Sequence, residues 1–131
     1  MNKYKCFSFS AFAIALAACT TTGSQPMNTV ADGTSIQLAS GQSATLADNS
    51  RIDYVKLDSD SRCRPDVQCV WAGDAVVVMR WTPANAMTAQ DFVLHTTIDP
   101  KSFDTDSRSI TLTALERGDA PKATLQVESK P

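Results

Sequence analysis

The chain has 131 residues and a formal net charge of −2, which is enough for one domain with a modest core. No arginine-rich run or basic patch is present, so nucleic acid is not an expected partner. Removal of residues 1–18 takes away two of the twelve basic residues and none of the fourteen acidic ones, so the remaining 113 residues carry a net charge of −4. The sequence therefore describes a small acidic domain.

The N-terminus has the pattern of a targeting segment. Lys3 and Lys5 precede an apolar run over residues 11–18. This run is too short to span a bilayer as a stable helix and is typical of a secretory signal peptide. We therefore predict a lipoprotein signal peptide over residues 1–18.

The run ends in Leu16, Ala17, Ala18 and Cys19, which resembles a bacterial lipobox at all four positions. The resemblance implies lipidation of the Cys19 thiol, cleavage before Cys19 and acylation of the new amino terminus. The alternative is an ordinary secretory signal followed by an incidental cysteine. Thr20, in place of an aspartate, favours the outer membrane facing the periplasm by analogy with Gram-negative lipoprotein sorting. The expected membrane contact is through the lipid on Cys19.

Residues 20–32 are small and polar and have no hydrophobic period. We interpret residues 19–32 as a lipidated flexible tether and residues 33–131 as the folded domain.

The domain reads as short strands separated by turns. Its apolar residues alternate with polar ones, and Gly, Pro, Asn and Asp mark the breaks. The predicted strands are residues 34–39, 44–46, 51–57, 75–81, 91–98, 109–115 and 123–128. A phase change in the third strand predicts a β-bulge near Tyr54. The fold class is therefore all-β, a single small β-sandwich or barrel-like domain of about seven antiparallel strands.

Two cysteines remain after Cys6 leaves with the signal and Cys19 takes the lipid. Cys63 and Cys69 are an even pair in an oxidising compartment, which favours a structural disulfide. A metal site and a redox-active pair are the alternatives. The spacing is not Cys-x-x-Cys, and His95 is the only nitrogen ligand available to complete a zinc site.

Residues 60–73 resemble a pattern found in small bacterial secreted proteins and lipoproteins, close to D-S-R-C-P-x-D-V-x-C-V-W-A-G. The matching positions are Asp60, Ser61, Arg62, Cys63, Asp66, Val67, Cys69, Val70, Trp71, Ala72 and Gly73. This chain has Arg64 where the pattern has proline, and Pro65 follows. The resemblance implies a fold and no particular activity.

The candidate partner-binding residues lie in the same stretch. They are Arg62, Arg64, Asp66 and Trp71. Trp71 is expected to cover the disulfide and pack on the core, and the alternative is an exposed aromatic anchor for a partner. The charged residues are expected to form a solvated rim, with one ion pair between Arg62 and Asp66 or Asp74 bracing the loop.

No catalytic set, metal site or cofactor site is predicted. His95 is the only histidine and is expected at the surface of a strand, and no G-x-S-x-G motif is present. Asp58 and Asp60 lack the glycine and glutamate of an EF-hand calcium loop.

The sequence therefore favours a non-enzymatic envelope lipoprotein that binds another protein or an envelope component. The alternative is an inhibitor of a protease or lysozyme-like enzyme that presents residues 61–70 to a foreign active site. An enzyme that depends on His95 is the third hypothesis.

Overall fold

The computed structural model describes residues 29–131, which form two β-sheets. The nine strands are β1 (Thr29–Val30), β2 (Thr34–Leu38), β3 (Ser43–Leu46), β4 (Arg51–Asp60), β5 (Ala75–Thr82), β6 (Gln90–His95), β7 (Ser102–Asp104), β8 (Arg108–Leu115) and β9 (Ala123–Ser129). The described residues contain no helix, and so none long and apolar enough to cross a membrane. The predicted all-β class is confirmed. The predicted signal peptide, Cys19 and most of the predicted tether lie outside the described residues.

The five-stranded sheet has the order β1-β3-β4-β5-β6, and the four-stranded sheet has the order β2-β9-β8-β7. All pairs are antiparallel except β1 with β3. The core lies between the sheets. It holds the alternate residues of β5, β8 and β9, among which Val77, Met79, Ile110 and Leu125 are fully buried.

The bulge predicted near Tyr54 is present. The β4–β5 register shifts between Tyr54 and Lys56, and again between Leu57 and Ser59. Ile52 and Tyr54 are buried before the first shift, and Leu57 packs against the core after it. The bulge shifts the in-out alternation by one residue, so the apolar residues before and after it all face the core.

Two strands were not predicted from the sequence. β7 was expected to be a polar loop, but Phe103 at its centre stacks on Phe92 at a ring-centroid distance of 3.8 Å. β1 falls within the predicted tether, and its Val30 is only 4% exposed. Single apolar residues in polar surroundings give no periodic signal, so the predicted number of about seven strands was too low.

The sixth strand is shorter than predicted. The sequence predicted a strand over residues 91–98 with Ile98 facing the core, whereas β6 ends at His95 and Ile98 is 56% exposed. After His95 the chain turns back, and the His95 amide donates to the carbonyl of Pro100. Thr96 and Thr97 thereby lie beside Ala75, the first residue of β5.

A buried arginine joins the N-terminal part of the fold to both sheets. The Arg108 side chain is 9% exposed, and its Nε donates to Asp32 at 2.7 Å while another guanidinium nitrogen pairs with Asp48. Asp32 follows β1, and Asp48 lies in the turn between β3 and β4. This pairing holds residues 29–32, which lie in the predicted tether, against the two sheets.

Candidate functional site

The candidate site is the segment between β4 and β5, residues 61–74, which we call the disulfide loop. Its neck continues the β4–β5 ladder by two backbone hydrogen bonds. The Ser61 amide donates to the Asp74 carbonyl at 2.8 Å, and the Cys63 amide donates to the Ala72 carbonyl at 3.1 Å. The loop is therefore an extension of the β4–β5 strand pair.

The disulfide predicted between Cys63 and Cys69 is present, with the two Cα atoms 5.9 Å apart. This separation lies in the usual range for a disulfide. Closing a ring of about seven residues restricts the unfolded chain by roughly 2.4 kcal/mol in the chain-entropy estimate. Neither sulfur is a thiolate in this state, so the pair is not a metal-binding site.

A tight turn fills the first half of the ring. The Val67 amide donates to the Arg64 carbonyl at 3.1 Å, which places Pro65 second in a four-residue turn. Proline suits this position because its fixed φ matches the turn. Arg64 and Asp66 form an ion pair with their side chains 72% and 65% exposed. The turn therefore accommodates Pro65, although the resembled pattern has its proline one residue earlier.

The outer end of the loop exposes three large apolar side chains. Val67 is 49% exposed, Val70 93% and Trp71 82%. We call these three residues the loop tip. The expectation that Trp71 packs on the core was wrong, because Trp71 lies just outside the last neck hydrogen bond and the buried part of β5 begins only at Ala75. Trp71 faces solvent instead of covering the domain.

Gly73 sits at the narrowest point of the neck. Its φ is +69°, and a Cβ built there would lie 1.9 Å from the Ser61 carbonyl oxygen. No side chain fits between the two strands of the neck at this point, and a left-handed φ is unfavourable for other L-residues. The neck geometry therefore requires glycine.

Arg62 anchors the loop to the other sheet. Its guanidinium donates to the Leu115 carbonyl at 2.7 Å and to the Glu116 carbonyl at 2.8 Å, and its side chain is 11% exposed. Its ion-pair partner is Asp60, not Asp66 or Asp74 as expected. Asp60 accepts from the Arg62 guanidinium through both carboxylate oxygens and also accepts from the Arg62 amide. Arg62 is therefore an internal brace.

Asp74 is the second anchor. Its Oδ1 accepts hydrogen bonds from the Thr96 and Thr97 amides at 3.1 and 2.8 Å, and its Oδ2 lies 2.6 Å from Nδ1 of His95. The His95 side chain is 17% exposed, so its assignment to the open surface was wrong. This pair could not be predicted from the amino-acid pattern, because it depends on the pairing of β5 with β6.

The hydrogen bonds shift the titration of Asp74. Burial acts to raise the pKa of its carboxyl group, but hydrogen bonds from His95, Thr97 and Thr96 outweigh burial and lower the pKa to about 2. The hydroxyl of Ser61 donates to the Asp74 carbonyl and accepts from the Asp74 amide. The Asp74 carboxylate therefore ties the end of the disulfide loop to His95, Thr96 and Thr97.

A cleft of about 290 Å³ separates the disulfide loop from the turn between β8 and β9. Pro65 and Gly118 line it together with five charged residues. These charged residues are Asp60, Arg62, Arg64, Asp66 and Arg117. The structure thus groups Arg62, Arg64 and Asp66 around one cleft and places Trp71 on the adjoining loop tip. Arg117 was not identified from the sequence, since it lies 43 positions beyond the end of the disulfide loop.

Across residues 29–131, no group of three or more His, Cys, Asp or Glu side chains is arranged to hold a metal ion. No known protein family matches the chain, and no curated protein or solved structure is significantly similar to it. The function is therefore argued from the geometry of the loop.

Replacing Gly73 with alanine tests the neck. We expect Gly73→Ala to lower the free energy of unfolding by about 2–5 kcal/mol, because a left-handed φ and a clash with backbone both act against the new Cβ. Gly41→Ala is the matched control, since Gly41 has φ +83° but open space around its Cβ position. It should cost only about 1–2 kcal/mol. Equal losses in urea denaturation would contradict the close contact at the neck.

The pKa of Asp74 predicts a pH dependence of stability. Since the folded-state pKa of about 2 lies below the ordinary aspartate pKa of 3.8, the Asp74 carboxylate stabilises the fold above pH 3.8. This contribution, about 2 kcal/mol from the size of the shift, is lost as the pH falls from about 4 to about 2. The difference in unfolding free energy between the wild type and Asp74→Asn should therefore shrink over that range. A difference independent of pH between 6 and 2 would refute this assignment.

Proposed function

We propose that the chain is a non-enzymatic envelope lipoprotein whose disulfide loop binds another protein of the envelope. The observation that carries this proposal is the exposure of Val70 and Trp71 at the tip of a covalently closed loop. Tryptophan is enriched among the residues that dominate binding energy at protein interfaces. Adjacent exposed apolar side chains with a charged rim are a feature of interaction sites on soluble domains.

The loop is held in shape before a partner binds. The disulfide, the two neck hydrogen bonds, Arg62 and Asp74 each restrain a different part of it. Ordering a flexible loop at an interface opposes binding, so a loop that is already ordered retains more of its contact energy. This favours recognition by the loop tip over a merely structural role for the exposed residues.

The loop is remote from the point where the tether joins the domain. β1 pairs with β3 beside Arg51, whereas the loop follows Asp60 at the other end of β4. The ten residues of β4 span roughly 30 Å at about 3.3 Å per residue. With a lipid on Cys19, the loop tip would lie about one domain length from the anchored end. This arrangement suits a partner in the periplasmic space or on another envelope structure.

An inhibitor of a protease or lysozyme-like enzyme is the second candidate. It is supported by the exposure of every residue from 64 to 72, which gives a narrow projection of the kind that enters an active-site cleft. In that case the partner would be a hydrolase, and binding would abolish its activity. The two candidates share the loop tip and differ in the identity of the partner.

Substitution of Trp71 tests the proposal. We expect Trp71→Ala to reduce by at least about tenfold the amount of partner recovered after crosslinking in intact cells of the host, as for a binding hot spot. Its stability should change little, because the side chain is 82% exposed. Partners would be quantified by mass spectrometry of the purified protein.

Met87→Ala is the matched control, since Met87 is a fully exposed apolar residue between β5 and β6. It lies at the opposite end of the sheet from the loop, beside the pairing of Trp81 with Gln90. This variant should recover the partner at the wild-type level. Equal recovery from Trp71→Ala and Met87→Ala would contradict the proposed role of the loop tip.

A further inference from the structure

The cleft beside the disulfide loop has a net positive charge. Three arginines and two aspartates line it, so one positive charge is in excess. Arg62 and Arg64 are each bound to an aspartate of the same cleft, Asp60 and Asp66. The excess charge therefore resides on the third arginine, Arg117.

Arg117 forms no ion pair with any residue in the described part of the chain, 29–131. It is exposed and lies in the turn between β8 and β9, next to Gly118. A Cβ at Gly118 would meet no atom within 4 Å, so the space beside this turn is open. A guanidinium with five donors is thus available at the wall of a cleft that has room for a small group.

Arg117 lines the same cleft as Asp60 and Asp66. The pKa of Asp60 is lowered first by its hydrogen bonds with Arg62, and the charge of Arg117 lowers it further. Asp60 itself is engaged by Arg62 through both of its oxygens. Asp60 is therefore already paired with Arg62, and the positive charge of Arg117 has no ion-pair partner in the cleft.

We propose that this cleft receives a single carboxylate of the protein partner, from an Asp or Glu side chain, with Arg117 as its main ligand. The inference rests on the proposed function and adds to it the chemistry of the partner. A guanidinium binds a carboxylate by two parallel hydrogen bonds, which fixes both position and orientation. The partner would thus present an acidic side chain near an apolar patch.

The charge of the cleft selects a carboxylate over a phosphate. A phosphate monoester carries a charge of about −1.5 to −2 at neutral pH. It would be repelled by Asp60 and Asp66, and one excess positive charge does not neutralise it. A carboxylate, with a single negative charge, balances the cleft.

The cleft and the loop tip form one continuous surface. Pro65 and Asp66 line the cleft and belong to the turn that ends at Val67, which is part of the loop tip. The cleft volume of about 290 Å³ is near the lower limit of about 300 Å³ for small-molecule sites. A protein that covers the loop tip therefore reaches the cleft with a neighbouring side chain.

The test titrates the isotopically labelled full protein, in detergent micelles, with sodium acetate and separately with sodium phosphate at constant pH and ionic strength. We expect saturable shifts of the Asp66 and Gly118 amide resonances with acetate, and weaker effects with phosphate. Arg117→Gln should weaken acetate binding by about tenfold, because it removes the charged donor.

Arg51→Gln is the control, since Arg51 is an exposed arginine paired with Asp53 at the far end of β4. It should bind acetate as the wild type does. Shifts that do not saturate, equal effects of the two substitutions, or stronger binding of phosphate would overturn the assignment.

Partner recovery separates this inference from the proposed function. If Trp71→Ala loses the partner and Arg117→Gln retains it fully, the carboxylate contact is refuted and the role of the loop tip stands. If acetate binds as expected but no partner depends on Trp71, the proposed function is refuted and the anion site stands.

Discussion

The disulfide loop depends on the close approach of its two ends, where Gly73 lies against the Ser61 carbonyl. This contact allows the Ser61 amide to reach the Asp74 carbonyl, and it places the Asp74 carboxylate over the amides of Thr96 and Thr97. β5 and β6 thereby hold one end of the loop, while Arg62 holds the other to the second sheet. The exposed residues between these anchors keep a defined position because the anchors belong to the core sheets.

Much of the fold was predictable from the sequence. Alternating apolar residues locate β2, β8 and β9, a continuous apolar run locates β5, and the phase change at Tyr54 locates a bulge that the structure confirms. The missed strands, β1 and β7, each contribute one apolar residue, Val30 and Phe103, to the packing of the domain. A strand with a single apolar residue gives no periodic signal, so neither strand could be predicted from the apolar pattern.

The site was predicted less completely. Cys63 and Cys69, an even pair in an expected oxidising compartment, predicted the disulfide that is present. The burial of Trp71 was predicted wrongly. The apolar strand that follows Trp71 in the sequence does not indicate whether the indole packs on the core or faces solvent. The ligands of Arg62 and the pairing of Asp74 with His95 both join segments that only the sheet topology brings together.

The most direct test of the account is photo-crosslinking from the loop tip in living cells of the host. A photoreactive amino acid would replace Val70 in one variant and Met87 in another, since both side chains are fully or almost fully exposed. The account predicts one discrete crosslinked protein from position 70, none from position 87, and loss of the product when Cys63 and Cys69 are both replaced by serine. The same products from both positions, or an undiminished product without the disulfide, would contradict the claim that the ordered loop is the binding surface.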